Sequence, residues 1–133
     1  MPFYRMTETS VATNQYEIAV ERRCDYLFIS LEGGENSYEI TRRYWDEIIS
    51  LTSDRKYSRV LVERNIAQSL NTQDVFRVLT EVAFIARTGV KFAFYDCHFD
   101  AEKSEFEELV SGNRGLNIKY FDNLPSAEIW LTA

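Results

Sequence analysis

The apolar and polar positions of this chain change period several times, and each change predicts an element. Tyr16, Ile18 and Val20 alternate with Glu17, Ala19 and Glu21, the period-two pattern of a half-buried strand. After a tight turn over Arg22 to Asp25, Tyr26 to Leu31 is almost continuously apolar, as in a strand covered on both faces. The short connection predicts an antiparallel hairpin. Gly33 and Gly34 break the chain. Asn36, with Glu39 three residues on, has the spacing of a capping box and predicts a helix over 37–51. Its stripe is Tyr44, Ile48 and Leu51, with Trp45 and Ile49 beside it.

A short apolar strand is expected over 58–63, then a polar loop over 64–71. Asn71 or Thr72 caps a second helix that continues to Arg87. Val75, Leu79, Val82 and Ala86 make its main stripe. Phe76, Val78, Ala83 and Ile85 widen it, which predicts a mostly buried helix closed by Gly89 at C′. Residues 91–97 read as another buried strand. A third helix is expected over 101–111, with Phe106, Leu109 and Val110 inward and acidic residues in its first turn. Residues 117–121 read as a last strand. Pro125 reads as N1 of a final helix facing Ala127, Trp130 and Leu131 inward.

The order predicted is β-β-α-β-α-β-α-β-α, an α/β fold with a mixed sheet of about five strands. An antiparallel hairpin opens the sheet, and right-handed parallel crossovers build the rest. Residues 16–133 read as one domain. Residues 1–15, rich in Ser and Thr with weak periodicity, read as a flexible leader.

Length and charge narrow the picture. A chain of 133 residues fits one domain and buries enough apolar surface to fold without a metal or disulfide. A formal net charge of −6 argues against nucleic acid and against anionic membranes, both of which need concentrated basic surface. The adjacent pairs Arg22–Arg23 and Arg42–Arg43 read as solvated charges. No apolar run approaches the roughly 18 residues a membrane span requires. Two cysteines, Cys24 and Cys97, without an apolar signal region read as reduced thiols in a cytoplasmic protein.

Three segments carry a family resemblance. Arg59 to Glu63 (RVLVE) leads into a loop holding Ser69 and then into the helix near Thr72. The chain closes with Tyr120-Phe121-Asp122-Asn123 and Ala127-Glu128-Ile129-Trp130-Leu131. With the opening hairpin, this resembles the STAS domain, the fold of bacterial anti-sigma-factor antagonists, over residues 16–131. The resemblance implies a STAS-like, SpoIIAA-like regulatory or protein-interaction module without enzymatic activity, acting in bacterial signalling on a protein partner. Phosphoregulated STAS domains typically carry an Asp-Ser-Ser or Asp-Ser-Thr-Gly-like turn at the second helix, whose Ser or Thr accepts phosphate. Here the stretch is Ile66-Ala67-Gln68-Ser69-Leu70-Asn71-Thr72, with no Asp before Ser69 and no Gly after it. Ser69 and Thr72 are the phosphoacceptor or docking candidates by position. A helix N-terminus stabilises a phosphate there, and the competing reading is that Thr72 caps the helix while Ser69 sits in solvent.

The loops after parallel strands should share one sheet edge, where α/β proteins bind ligands. That edge would gather Glu63, Arg64, Asn65, Asp96, His98 and Asp100. The run Asp96-Cys97-His98 offers a thiol and an imidazole, yet neighbours at a strand end point to opposite faces, and Cys97 reads as a packed small residue. One His and two separated Cys make no zinc spacing, and neither phosphate-loop motif is present, so no cofactor is expected. A second functional reading is a binder of a small apolar ligand or lipid, with Trp45, Phe76, Phe84, Phe92 and Phe94 lining an interior pocket. The competing reading of those rings is a close-packed core. The exposed hairpin edge is compatible with a homodimer.

Overall fold

The computed structural model describes residues 5–9 and 15–133. Six strands form one sheet in sequence order: β1 (Arg5–Thr9), β2 (Tyr16–Arg22), β3 (Leu27–Gly33), β4 (Arg59–Ile66), β5 (Lys91–Asp96) and β6 (Asn117–Phe121). The first three are antiparallel, and β3 through β6 are parallel. The sheet is mixed, as the alternation of elements predicts. The added strand is β1. Arg5–Thr9 was expected within a flexible leader, but it pairs with β2 from Arg5 opposite Glu21 to Thr9 opposite Glu17. Its polar sequence lacks a core period because an edge strand is held chiefly by its ladder. The remaining leader residues, 1–4 and 10–14, lie outside the described residues.

Four helices cover the sheet: α1 (Tyr38–Arg55), α2 (Thr72–Ile85), α3 (Ala101–Asn113) and α4 (Leu124–Thr132). The first three are the crossovers of successive parallel pairs. They share one face, over a core that includes Ile18, Ile29, Leu31, Trp45, Ile48, Val62, Val82 and Phe94. On the other face α4 packs Ala127 and Leu131 on Leu61, Ala93, Tyr26 and Phe28. Gly33 is required where β3 passes β2, since a Cβ there would lie 2.9 Å from the Gln15 carbonyl oxygen.

Several expected details differ. Ser37, not Asn36, caps α1, accepting from the Ile40 N–H, while Asn36 Oδ1 accepts from Ser37 N and Thr41 Oγ1. The helix runs on to Arg55 and stops at Lys56 in the left-handed region, φ 58°. Ala86 ends α2 in an extended conformation, so Gly89 (φ 84°) shapes the turn into β5 rather than the helix cap. Pro125 is the second helical residue of α4, behind the Asn123 cap.

The apolar faces of α2 and α3 are narrower than their periodicity predicts. Phe76 is 47% exposed, Phe84 86% and Ile85 46%. The helical layer is one helix thick, so only the Val78–Leu79–Val82 side of α2 meets the sheet. In α3, Leu109 is 63% exposed, and the buried positions are Ser104, Val110 and Ser111. That helix turns a partly polar side inward because a charged side chain lies beneath it.

Trp45, 2% exposed and in edge and tilted contact with Phe92 and Phe94 at 5.6 and 5.3 Å, anchors α1 to the sheet. Trp45→Ala is expected to cost about 3–5 kcal/mol in urea unfolding. Phe84→Ala, on the outer side of α2, should change stability by no more than about 0.5 kcal/mol.

Candidate functional site

Along β4, side chains alternate between the two faces. Val60, Val62 and Ile66 enter the main core, and Leu61 enters the α4 core. Arg64 stands in register with the main-core set, so the strand presents a guanidinium where its period calls for an apolar residue. Its side chain is only 15% exposed. Nε and Nη2 donate to Asp96 Oδ2 at 3.2 and 2.6 Å, and Nη1 reaches the Tyr44 hydroxyl at 3.4 Å. Asp96 is the residue opposite Arg64 in the β4–β5 ladder. The guanidinium carbon lies 5.3 Å from the ring centres of both Phe94 and Tyr120.

A second carboxylate completes the cluster. Glu107, one turn along α3 from Ser104, is 12% exposed and places Oε2 3.6 Å from Arg64 Nη2. Among the described residues no group donates a hydrogen bond to that buried oxygen. Burial raises the Tyr120 phenol well above its ordinary pKa, and the nearby Glu107 charge adds to the effect. Burial also raises Tyr44. Arg64 is pulled down by burial but held well above its ordinary value by Glu107, Tyr44 and Asp96. The cluster therefore contains one guanidinium, two carboxyl groups and two neutral phenols in a partly dry setting.

Above it a cavity of about 60 Å³ opens at the carboxyl edge of the parallel strands. Asn36 and Ser69 lie on its rim loops, Lys103 and Ser104 come from α3, and Arg64, Glu107 and Tyr120 lie among the lining residues.

The expected edge residues separate on inspection. Arg64, Asp96, His98, Asp100 and Ser69 line the cavity. Asn65 Oδ1 is 2.9 Å from His98 Nε2 and holds the ring at the mouth. Asp100 is the cap of α3, accepting from the backbone of Glu102 and Lys103. Glu63 is not part of the cluster: it lies on the opposite face of β4, near Tyr95 and Cys97. Thr72 is the first residue of α2, and Asn71 is the cap, accepting from Asp74 N. Cys97 does not line the cavity as His98 does, and it is exposed rather than packed as its sequence context suggests. Partial burial raises its thiol pKa, with Glu63 and Asp96 adding negative charge. Among the described residues no group of three metal-ligating side chains converges.

Tyr44, Ser104, Glu107 and Tyr120 were missed. Glu107 sits in an acidic run whose residues look alike in sequence, and only the inward turn of α3 distinguishes it. The five aromatics proposed to line an apolar pocket do not meet in one: Trp45, Phe92 and Phe94 stack in the core, and Phe76 and Phe84 face outward.

No protein-family model matches the chain, and no curated protein matches it. Among solved structures it is similar to an uncharacterised protein of the DUF3478 family with a SpoIIAA-like fold from Shewanella loihica PV-4. The TM-score is 0.54 and the identity 14%, over 87% of this chain and 93% of that one. The fold is thus SpoIIAA-like, the architecture that the resemblance to STAS domains implies. None of the described helices is long and apolar enough to cross a membrane.

Two measurements check the cluster. Arg64→Met leaves two carboxylates facing each other under α3 and is expected to cost about 3–5 kcal/mol of stability in urea unfolding. Because folding raises the Tyr44 and Tyr120 pKa values, their stabilising contribution is fully present below the unfolded phenol value of about 10 and is lost as pH rises above it. Stability should therefore fall above about pH 10, and the double variant Tyr44→Phe, Tyr120→Phe should flatten that fall.

Proposed function

We propose that this chain is a non-enzymatic regulatory module of STAS-like type that acts in bacterial cytoplasmic signalling by docking a protein partner. The docking surface is the loop over 67–71 together with the outer side of α2. The observation that carries this reading is the exposure of Phe76 and Phe84, 47% and 86%, on the helix that begins at Thr72. Exposed aromatic anchors beside adaptable polar residues are the usual composition of an interaction surface. Phe76 is steadied by Arg114, whose guanidinium lies 4.3 Å from its ring centre and whose Nε donates to Thr80. A shallow groove lined by Thr72, Gln73, Phe76 and Phe106 runs beside it.

The start of α2 suits regulation by phosphate. Asn71 already caps the helix, which frees the exposed Thr72 hydroxyl from that task. A phosphate on Thr72, or on the exposed Ser69 nearby, would lie close to the positive end of the helix dipole. The raised thiol pKa of Cys97 argues against that residue as a nucleophile, which would call for a lowered one.

The test begins with a partner captured from the host on the tagged full chain and then purified. Ser69→Glu or Thr72→Glu is expected to change its Kd by about tenfold, or 1.4 kcal/mol. Phe84→Ala should weaken binding by more than about 1 kcal/mol without altering the melting curve. Equal titration curves for the wild type and all three variants would overturn the docking surface.

A further inference from the structure

The exposed apolar residues of this chain concentrate on the outside of α2 and α3. Phe76, Phe84 and Ile85 stand out from α2, and Leu109 stands out from α3. The two helices pack side by side, and a groove lined by Thr72, Gln73, Phe76 and Phe106 runs between them. Leu109 lies one turn beyond Phe106 and continues the apolar side of α3. A furrow between two neighbouring helices has the shape that a third helix fills, with side-chain ridges seated in the groove.

The charges around this groove divide into engaged and free. Arg77 lies 3.8 Å from the Tyr38 ring centre and pairs with Glu81 at 3.4 Å. Arg114 covers the Phe76 ring and donates to Thr80 and to the Val110 carbonyl. Both cations are thus held by the chain itself. Glu102 and Glu105 are exposed on α3, four residues before Phe106 and Leu109 respectively, so each carboxylate neighbours an apolar side chain of the groove wall. Among the described residues neither forms an ion pair. The uncommitted charge along the groove is negative, as is the net charge of the chain, −6. An apolar groove with an acidic rim is complementary to a helix with one apolar side and a cationic flank.

We propose that the α2–α3 groove receives an amphipathic helix of the partner protein. Its apolar side covers Phe76, Phe106 and Leu109, and its lysines or arginines pair with Glu102 and Glu105. The proposal rests on the docking reading and adds the chemistry of the partner. It also gives the phosphate switch a direction. Thr72 lines the head of the groove, so a phosphate there adds negative charge facing the same cations and strengthens docking.

The experiment titrates the isotope-labelled full chain with two synthetic helical peptides and follows backbone amide shifts. Both peptides carry the same face of leucines. The polar face is all lysine in one and all glutamate in the other. The lysine peptide is expected to give saturable shifts over residues 72–84 and 102–113, with a Kd on the order of 10–100 μM, and the glutamate peptide none. The pair Glu102→Gln, Glu105→Gln should weaken binding at least about fivefold at low salt. The pair Glu17→Gln, Glu32→Gln removes as much charge from exposed positions of β2 and β3 and should leave it unchanged. Thr72→Glu should tighten it about threefold. Equal binding of the two peptides, or equal losses from the two glutamine pairs, would overturn the proposal. Against the captured partner, a loss with Phe84→Ala and none with Glu102→Gln, Glu105→Gln overturns the cationic helix and leaves the docking surface standing. No loss with either overturns both.

Discussion

A guanidinium placed in the apolar register of a central strand is the constraint around which the carboxyl edge of this protein is organised. Arg64 lies between β3 and β5, beneath the helical layer, where its charge is largely removed from water. An unpaired cation there would be strongly destabilising. Each adjoining element supplies part of the compensation. The neighbouring strand brings Asp96, α3 brings Glu107, α1 brings the Tyr44 hydroxyl, and Phe94 and Tyr120 present ring faces. Helix α3 consequently turns serines and a glutamate toward the sheet while Leu109 points to solvent.

This arrangement couples the site to the fold. The parallel strands bring their carboxyl ends to one edge, and the crossover helices begin there. The cap residues Ser37, Asn71 and Asp100 set the first turns of α1, α2 and α3 around the same opening. The cavity is bounded by well-packed elements and rimmed by short loops. Its polar cluster and the outer aromatics of α2 are two surfaces of one helical layer. Gln68, Ser69 and Leu70, in the loop that leads into α2, line the cavity.

The likeness to a SpoIIAA-like structure at 14% identity speaks for the backbone arrangement alone. Functional argument rests on the side chains. Ser69 and Thr72 are exposed hydroxyls around the start of α2. The cluster of Arg64, Asp96 and Glu107 gives the edge a chemistry of its own.

Local pattern was enough to locate the strands from Tyr16 onward, the crossover helices and their order, because burial on a sheet imposes period two and burial on a helix imposes 3.6. It also placed Arg64, Asp96, His98 and Asp100 at one edge, since parallel topology collects the loops that follow each strand. Which face of a helix is inside is a weaker local signal. Phe76, Phe84 and Leu109 looked like core because apolar residues usually are, and the one-helix-thick layer left them outside. Nothing in the acidic run of α3 marks Glu107 as the residue that turns inward. Arg5–Thr9 had no apolar period to reveal it, because an edge strand is recruited by its neighbour's unpaired backbone. Sequence alone determined the elements from Tyr16 onward and the edge they share. Only tertiary structure decided which charges meet across it, because ion pairing between β4, β5 and α3 depends on register and helix rotation, and neither is written in the period of any one segment.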